Sequence, residues 1–455
     1  MGSSFNPEAL ADFARHHGFH YDMVDPVQLV RDVATDIDRG LRGESSSLPM
    51  IPTYISPGHR APPGETVIAL DAGGTNLRAA RVRFDENGRA VTEGARKAPM
   101  PGTRGRLNAE QFFDAIAAVA EPLLTDQGAS GNGKVRGIGF CFSYPMEITK
   151  EADGILMAFS KEVDAPEVIG KSIGTGLREA LARRKLKAPE KITLLNDTAA
   201  TLLCGTVDIP ADDHDNPPPP GSAGGPVIGF ILGTGFNTAY PEKNIPKIGF
   251  HSETAPQIVV CETGNFAPRY LGYLDREYDG GTKKPGSYTQ EKASAGAYLG
   301  PLNLHIFKQA VRDGVLSFRR SGELLDRPSL ETRDLNSFLR SPLSGESPLD
   351  RLFDRDETGA LSSVLYLSSI ITERAALLSA AVLAATVERM EAGCDPFAPA
   401  RIAVEGTTYV LYRGRRKALE SRLHTMLTAR KPRSYIIAPV EQASLLGAAV
   451  AALTG

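Results

Sequence analysis

The stretch Thr66-Val67-Ile68-Ala69-Leu70-Asp71-Ala72-Gly73-Gly74-Thr75-Asn76-Leu77-Arg78 decides how the chain is read. Thr66 to Leu70 is apolar, Asp71 to Asn76 is a polar turn with two glycines, and Leu77 to Phe84 alternates. That pattern predicts a strand, a turn and a returning strand. At the tip a carboxylate stands beside backbone N–H groups, which can hold phosphate oxygens while the carboxylate orients hydrated magnesium. An ordinary hairpin turn has the same composition. A second instance tips the balance. Val227 to Leu232 is apolar and runs into Gly233-Thr234-Gly235-Phe236-Asn237-Thr238, again a strand feeding a Gly/Thr/Asn turn. Two such turns make a two-sided phosphate clamp, and they predict a fold of two similar halves sharing one cleft.

Between and beyond the turns, helical patterning near Ala109 to Leu124 and Ile169 to Arg184 alternates with apolar strands at Val135 to Phe142 and Ile192 to Leu195. Mixed elements of this kind predict an α/β domain. Asn196-Asp197-Thr198 joins the second of those strands to helical text at Ala199 to Leu203, so Asp197 stands where a carboxylate either caps a helix or works as acid or base. The run Asp212 to Gly225, with four consecutive prolines, predicts a surface loop. Leu361 to Met390 reads as a buried alanine-rich helix, Arg401 to Glu405 and Ser434 to Ile437 as strands, and Ser444 to Leu453 as a closing helix.

At 455 residues, and ~150 residues per domain, two or three domains are expected. A composition of 42% hydrophobic and 23% charged residues excludes disorder as the main state. Fifty-one basic residues against 54 acidic ones leave a formal charge of -3, which gives no global reason to bind nucleic acid or an anionic membrane. Cys141, Cys204, Cys261 and Cys394 are far apart with no CxxC pair, which fits a reducing cytoplasm. The N-terminus has no apolar signal core, and no stretch is expected to reach the ~18 apolar residues of a membrane span. Two motifs are set aside. Gly170-Lys171-Ser172 ends like a P-loop but lacks the earlier glycine, and His16, His17 and His20 lack further ligands in a segment expected to be exposed.

Read in order, Ser47 to Pro52, Leu70 to Arg78, Phe142-Ser143-Tyr144-Pro145, Gly154-Ile155-Leu156 with Ser160-Lys161, and Asn196-Asp197-Thr198 resemble segments of the ATP-dependent hexokinases. Gly233 to Tyr240, Glu262 to Phe266, Pro285-Gly286, and Glu291-Lys292 with Tyr298-Leu299-Gly300 extend the resemblance, which runs from about Leu48 to Leu453. It implies an α/β protein of the two-lobed actin-like ATPase (ribonuclease H-like) fold, with mixed sheets and a central cleft. A small lobe of residues 62–199, joined by a C-terminal helix at 438–455, would face a large lobe of residues 1–61 and 200–437.

The implied reaction is transfer of the γ-phosphoryl group of MgATP to the 6-hydroxyl of a hexose, glucose first, with mannose and fructose also open. Asp197 would be the general base, and Ser143, Ser160, Lys161, Asn196, Asn237, Glu262 and Glu291 would bind the sugar. Asp71 would hold magnesium through water. Gly73, Gly74, Thr75, Asn76, Arg78, Gly233 and Thr234 would line the phosphates, and Gly406, Thr407, Ser444 and Gly447 the nucleoside end. The chain departs from the pattern at Glu405, where the family has Asp, and at Gln442-Ala443-Ser444-Leu445, where it has Asp-Gly-Ser-Gly. Thr263, Ser160 and Glu162 replace Trp, Thr and Gly on what the pattern makes the sugar side. A hexose-binding sensor of the same fold with little turnover is the alternative. A plain actin-like or chaperone-like ATPase would leave the sugar set without a purpose, and the zinc-containing sugar kinases need clustered cysteines. Monomer and homodimer both stay open.

Overall fold

The computed structural model of the protein describes residues 5–58, 62–86, 88–125, 134–159, 163–207, 225–429 and 432–454. Its first sheet contains β1 (Thr66–Ala72), β2 (Asn76–Phe84), β3 (Ala90–Pro99), β4 (Val135–Phe142) and β5 (Lys191–Leu195), in spatial order β3-β2-β1-β4-β5. β1 is buried along its whole length, which is why its stretch from Val67 to Leu70 reads as an unbroken apolar run before Asp71. The second sheet contains β6 (Val227–Leu232), β7 (Phe236–Glu242), β8 (Gln257–Val260), β9 (Ala400–Glu405) and β10 (Tyr435–Pro439), in the order β8-β7-β6-β9-β10. Ile51–Pro52 adds a short antiparallel edge beyond β8.

The two sheets share one plan. In each, the first three strands form an antiparallel meander, and the fourth and fifth add in parallel beside the first. Each Gly-Thr turn joins the first two strands of its sheet, so the echo in the sequence is a repeat of topology. The fold is that of the actin-like ATPases.

Helices follow from capping and patterning. α1 (Pro7–His16) and α2 (Pro26–Arg42) start at Asn6 and Asp25, whose side chains accept the free N–H groups of the first turn, with Pro at the first helical position. α3 (Ala109–Thr125) and α4 (Ile173–Arg183) pack together beside the first sheet. The helical text from Ile169 starts late, because Pro166–Val168 forms a single 3-10 turn and Ser172 then caps α4. α5 (Asp197–Cys204) follows β5, and α6 (Thr289–Ser294) carries Glu291. α7 (Thr358–Arg389) is long and apolar enough to cross a membrane, contrary to the expectation that no stretch would be. Its most apolar window is 94% buried inside the molecule, so it is a core helix. α8 (Ala443–Thr454) follows β10.

α5 and α8 occupy matching places after the last strand of each sheet, and they cross over. α8 lies on β4, β1 and α5, while α5 lies on β6 of the other sheet. Glycines permit the approach. A Cβ on Gly139 of β4 would stand 1.7 Å from the Ala448 carbonyl oxygen, one on Gly229 of β6 2.4 Å from that of Thr198, and one on Gly447 1.9 Å from that of Ala200. A lobe edge drawn at residue 199 falls inside α5, and one at 438 falls inside β10.

Two expectations need correction or a limit. His16 is exposed as expected, but His20 is buried and His17 nearly so; His17 Nε2 lies 2.8 Å from Asp313 and His20 Nδ1 2.7 Å from Asp22. The expected loop from Asp212 lies outside the described residues as far as Gly224.

Candidate active site

Open α/β sheets place ligands beyond the carboxyl ends of their parallel strands. Here those ends carry Asp71 on β1, Ser143 after β4, Asn196-Asp197 after β5, Gly233-Thr234 after β6, and Glu405-Gly406 at β9. Between the sheets lies a cavity of about 860 Å³ lined by Ser143, Asn196, Asp197, Asn237, Glu262 and Glu291. Every described residue of the expected sugar set and the expected base therefore meets in one space. Ser160 and Lys161 lie outside the described residues, as does Glu162.

The two readings of Asn196-Asp197 divide between neighbours. Asn196 is the cap, its Oδ1 accepting from Ala199 N at 2.9 Å. Asp197 is thereby freed from capping and sits half-buried in the first turn of α5, where Thr198 Oγ1 donates to its Oδ1 at 3.1 Å. Opposite it, Asn237 Nδ2 donates to Glu262 Oε1 at 2.8 Å, and Asn237 Oδ1 accepts from Thr238 N. Glu291 Oε2 accepts from Phe236 N at 3.0 Å and bonds to the Tyr298 hydroxyl. Gly235 lies close beside it, a Cβ there standing 3.0 Å from Glu291 Oε2.

These carboxylates feel one another. Burial, then the charges of Asp197 and Glu291, push Glu262 up to about 7 against the opposing bond from Asn237. Burial also raises Glu291. Carboxyl groups in such a setting, held by fixed partners, can donate to or accept from the hydroxyls of a bound ligand.

The phosphate set lies apart from that cavity. Asp71 is buried and its register partner Arg78 reaches it at 3.9 Å; Gly73, Thr75 and Arg78 are exposed at the turn. Asn76 Nδ2 donates to Thr75 Oγ1 at 2.9 Å, and Gly74 O accepts from the Tyr144 hydroxyl at 3.2 Å. On the other side Thr234 is exposed, and Gly406, with φ 137, abuts the Leu232-Gly233 turn; a Cβ there would meet Leu232 O at 2.3 Å. Gly406 and Thr407 are thus held against Gly233. A carboxylate flanked by glycine backbone is a donor set for a hydrated hard cation and phosphate oxygens. Ser444 is half-buried at the start of α8, whereas Gly447 is buried against α5 and already has a packing reason to be glycine. Thr263 is buried between Glu262 and Gly264, which both line the cavity; its hydroxyl lies 3.2 Å from Thr238 Oγ1 and its N–H donates to Asn237 Oδ1 at 3.3 Å.

A family model described as hexokinase matches residues 227–454, and a second model of the same description matches 14–207. The chain belongs to the hexokinase family. Its reaction class is therefore phosphoryl transfer from ATP to a hexose. Rice Hexokinase-7 is 28% identical over 437 residues, covering 92% of this chain and 91% of its own. Human Hexokinase-3 is 30% identical over 429 residues, covering 89% of this chain, which spans only 42% of the human protein. The hexokinase from Schistosoma mansoni complexed with glucose superposes with a TM-score of 0.74 at 23% identity, covering 99% of this chain and all of that one. That likeness concerns the fold.

Sequence reasoning missed Thr201, and it marked Glu405 only as a departure from the family's Asp. Glu405 and Thr201 meet beside Asp197, with Thr201 Oγ1 3.3 Å from Glu405 Oε2. The signal was a carboxylate ending an apolar strand directly before Gly406-Thr407.

Proposed function

We propose that the protein transfers the γ-phosphoryl group of MgATP to the 6-hydroxyl of a hexose, glucose first, with Asp197 as general base. The observation that carries this reading is the meeting of Asp197 with Ser143, Asn196, Asn237, Glu262 and Glu291 around one cavity. Phosphoryl transfer asks little covalent chemistry of a protein beyond positioning and charge stabilisation. Asn237, Glu262 and Glu291 would fix the sugar ring from the second sheet, and Ser143 and Asn196 from the first. Asp197 would then stand within reach of the 6-hydroxyl and accept its proton.

Asp71, with its buried carboxylate beside Gly73, fits a hydrated magnesium ion. Bound there with the nucleotide, the ion would neutralise charge on the β- and γ-phosphates. Gly73, Gly74, Thr75, Asn76, Arg78, Gly233 and Thr234 would hold the phosphates, and Gly406, Thr407 and Ser444 the nucleoside end. The lobes would be 62–199 with 438–455, and 1–61 with 200–437, closing on the sugar to exclude water.

The test is ADP release by purified protein with MgATP and a panel of hexoses, beside Asp197→Ala and a sugar-free control. Sugar-dependent release, abolished in Asp197→Ala while glucose still raises the melting temperature, is expected. An active Asp197→Ala protein would overturn the base. Glucose that stabilises the wild type without any hexose stimulating release would instead favour the sensor.

A further inference from the structure

Glu405 ends β9 opposite Ile231 of β6, one residue before the glycine that abuts the Gly233 turn. Its carboxylate leaves the strand on the side of α5, one turn along from Asp197. There Thr201 Oγ1 lies 2.9 Å from the Asp197 backbone oxygen and 3.3 Å from Glu405 Oε2. A threonine hydroxyl has one proton to give. Thr201 satisfies both contacts when it donates to the Asp197 carbonyl and accepts from a protonated Glu405. With Glu405 ionised, two acceptors compete for one hydrogen. The geometry thus distinguishes the two protonation states.

The groups facing Glu405 reinforce this. Asp197 on α5 and Asp71 on β1 present like charges, and Arg78 on β2 presents the opposing one. Among the described residues, the thiols of Cys204 on α5 and Cys141 on β4 also feel Glu405, both pushed up by burial. Burial first and Asp197 second push Glu405 up to about 7.

We propose that Glu405 is a positioning residue for Asp197, acting through Thr201, whose hydroxyl it shares with the Asp197 backbone carbonyl, so that the charge on Glu405 shapes the acid limb of turnover. This rests on the reading of Asp197 as base. Removing the charge of Glu405 leaves Asp197 without its like-charged neighbour, which makes it more acidic and a weaker base.

The experiment is the pH profile of kcat, pH 5 to 9, for wild type, Glu405→Gln, Glu405→Asp and Asp197→Ala with saturating glucose and MgATP. Glu405→Gln should move the acid limb down by about one pH unit and lower the plateau roughly threefold to tenfold, with the KM for glucose little changed. Glu405→Asp keeps the charge and should keep the limb near its wild-type position. A merely structural role would lower the plateau of both variants and leave the limb in place, which overturns the proposal. If Glu405→Gln has no measurable turnover, its melting temperature decides: the gap over wild type should widen from pH 5 to pH 8, and parallel curves overturn the proposal. Turnover by Asp197→Ala sinks the base assignment itself, a failure distinct from an unmoved limb in Glu405→Gln alongside a dead Asp197→Ala.

Discussion

Glu262 occupies the left-handed backbone region at φ 57, a conformation that non-glycine residues rarely hold without surrounding support. That conformation places a half-buried carboxylate at the cleft, where it is kept protonated to about pH 7. Its proton is retained in the folded protein above about 4.5, where the unfolded chain has released it, so folding is opposed increasingly as pH rises from there to about 7. Glu262→Gln escapes this cost. Its stability over wild type should grow by ~1–3 kcal/mol between pH 5 and pH 8, read as diverging melting temperatures. Parallel curves would remove the poised carboxyl from the site. The sequence offered Glu262, Glu291 and Asn237 only through resemblance, since a strand-end carboxylate looks alike whether it pairs, caps or binds. Asn196 and Asp197 illustrate the limit: the sequence left Asp197 as either a cap or an acid or base, and only the bond from Ala199 N gave the cap to Asn196 instead.

At the scale of elements, the two Gly-Thr hairpins were legible because buried parallel strands read as apolar runs and tight turns demand glycine. The α5–α8 crossing was not, because a glycine in an apolar strand or helix gives no hint of the backbone that will fill its missing side chain. Gly447 is the instructive instance, assigned by resemblance to the nucleoside and placed by packing against Ala200. Gly447→Ala should lower stability by ~1–3 kcal/mol, a fall of several degrees in melting temperature. If the melting temperature holds and only the KM for MgATP rises, the nucleotide role is the true one. The contact of Glu405 escaped for a related reason: its partner Thr201 comes from the opposite sheet's helix, 204 residues away in the chain.

At the scale of the molecule, the proposed base, Asp197, is carried by a helix that touches both sheets. α5 starts from β5 and rests on β6, so a change in the angle between the sheets moves Asp197 relative to Glu262 and Glu291. Closure on glucose should therefore appear as a decrease in radius of gyration by small-angle X-ray scattering at saturating sugar. An unchanged scattering curve would mean that the cleft is already at its working width. The two-lobed plan itself followed from the repeated turn.

The helix exchange also bears on how the protein is made. β4 presents Gly137 and Gly139 to α8, which leaves the ribosome only after all five strands of the second sheet. Until then the first sheet has a bare strip of backbone where its covering helix belongs. The N-terminal half of the fold thus cannot mature as an independent unit during synthesis, and its completion waits for the end of the second half.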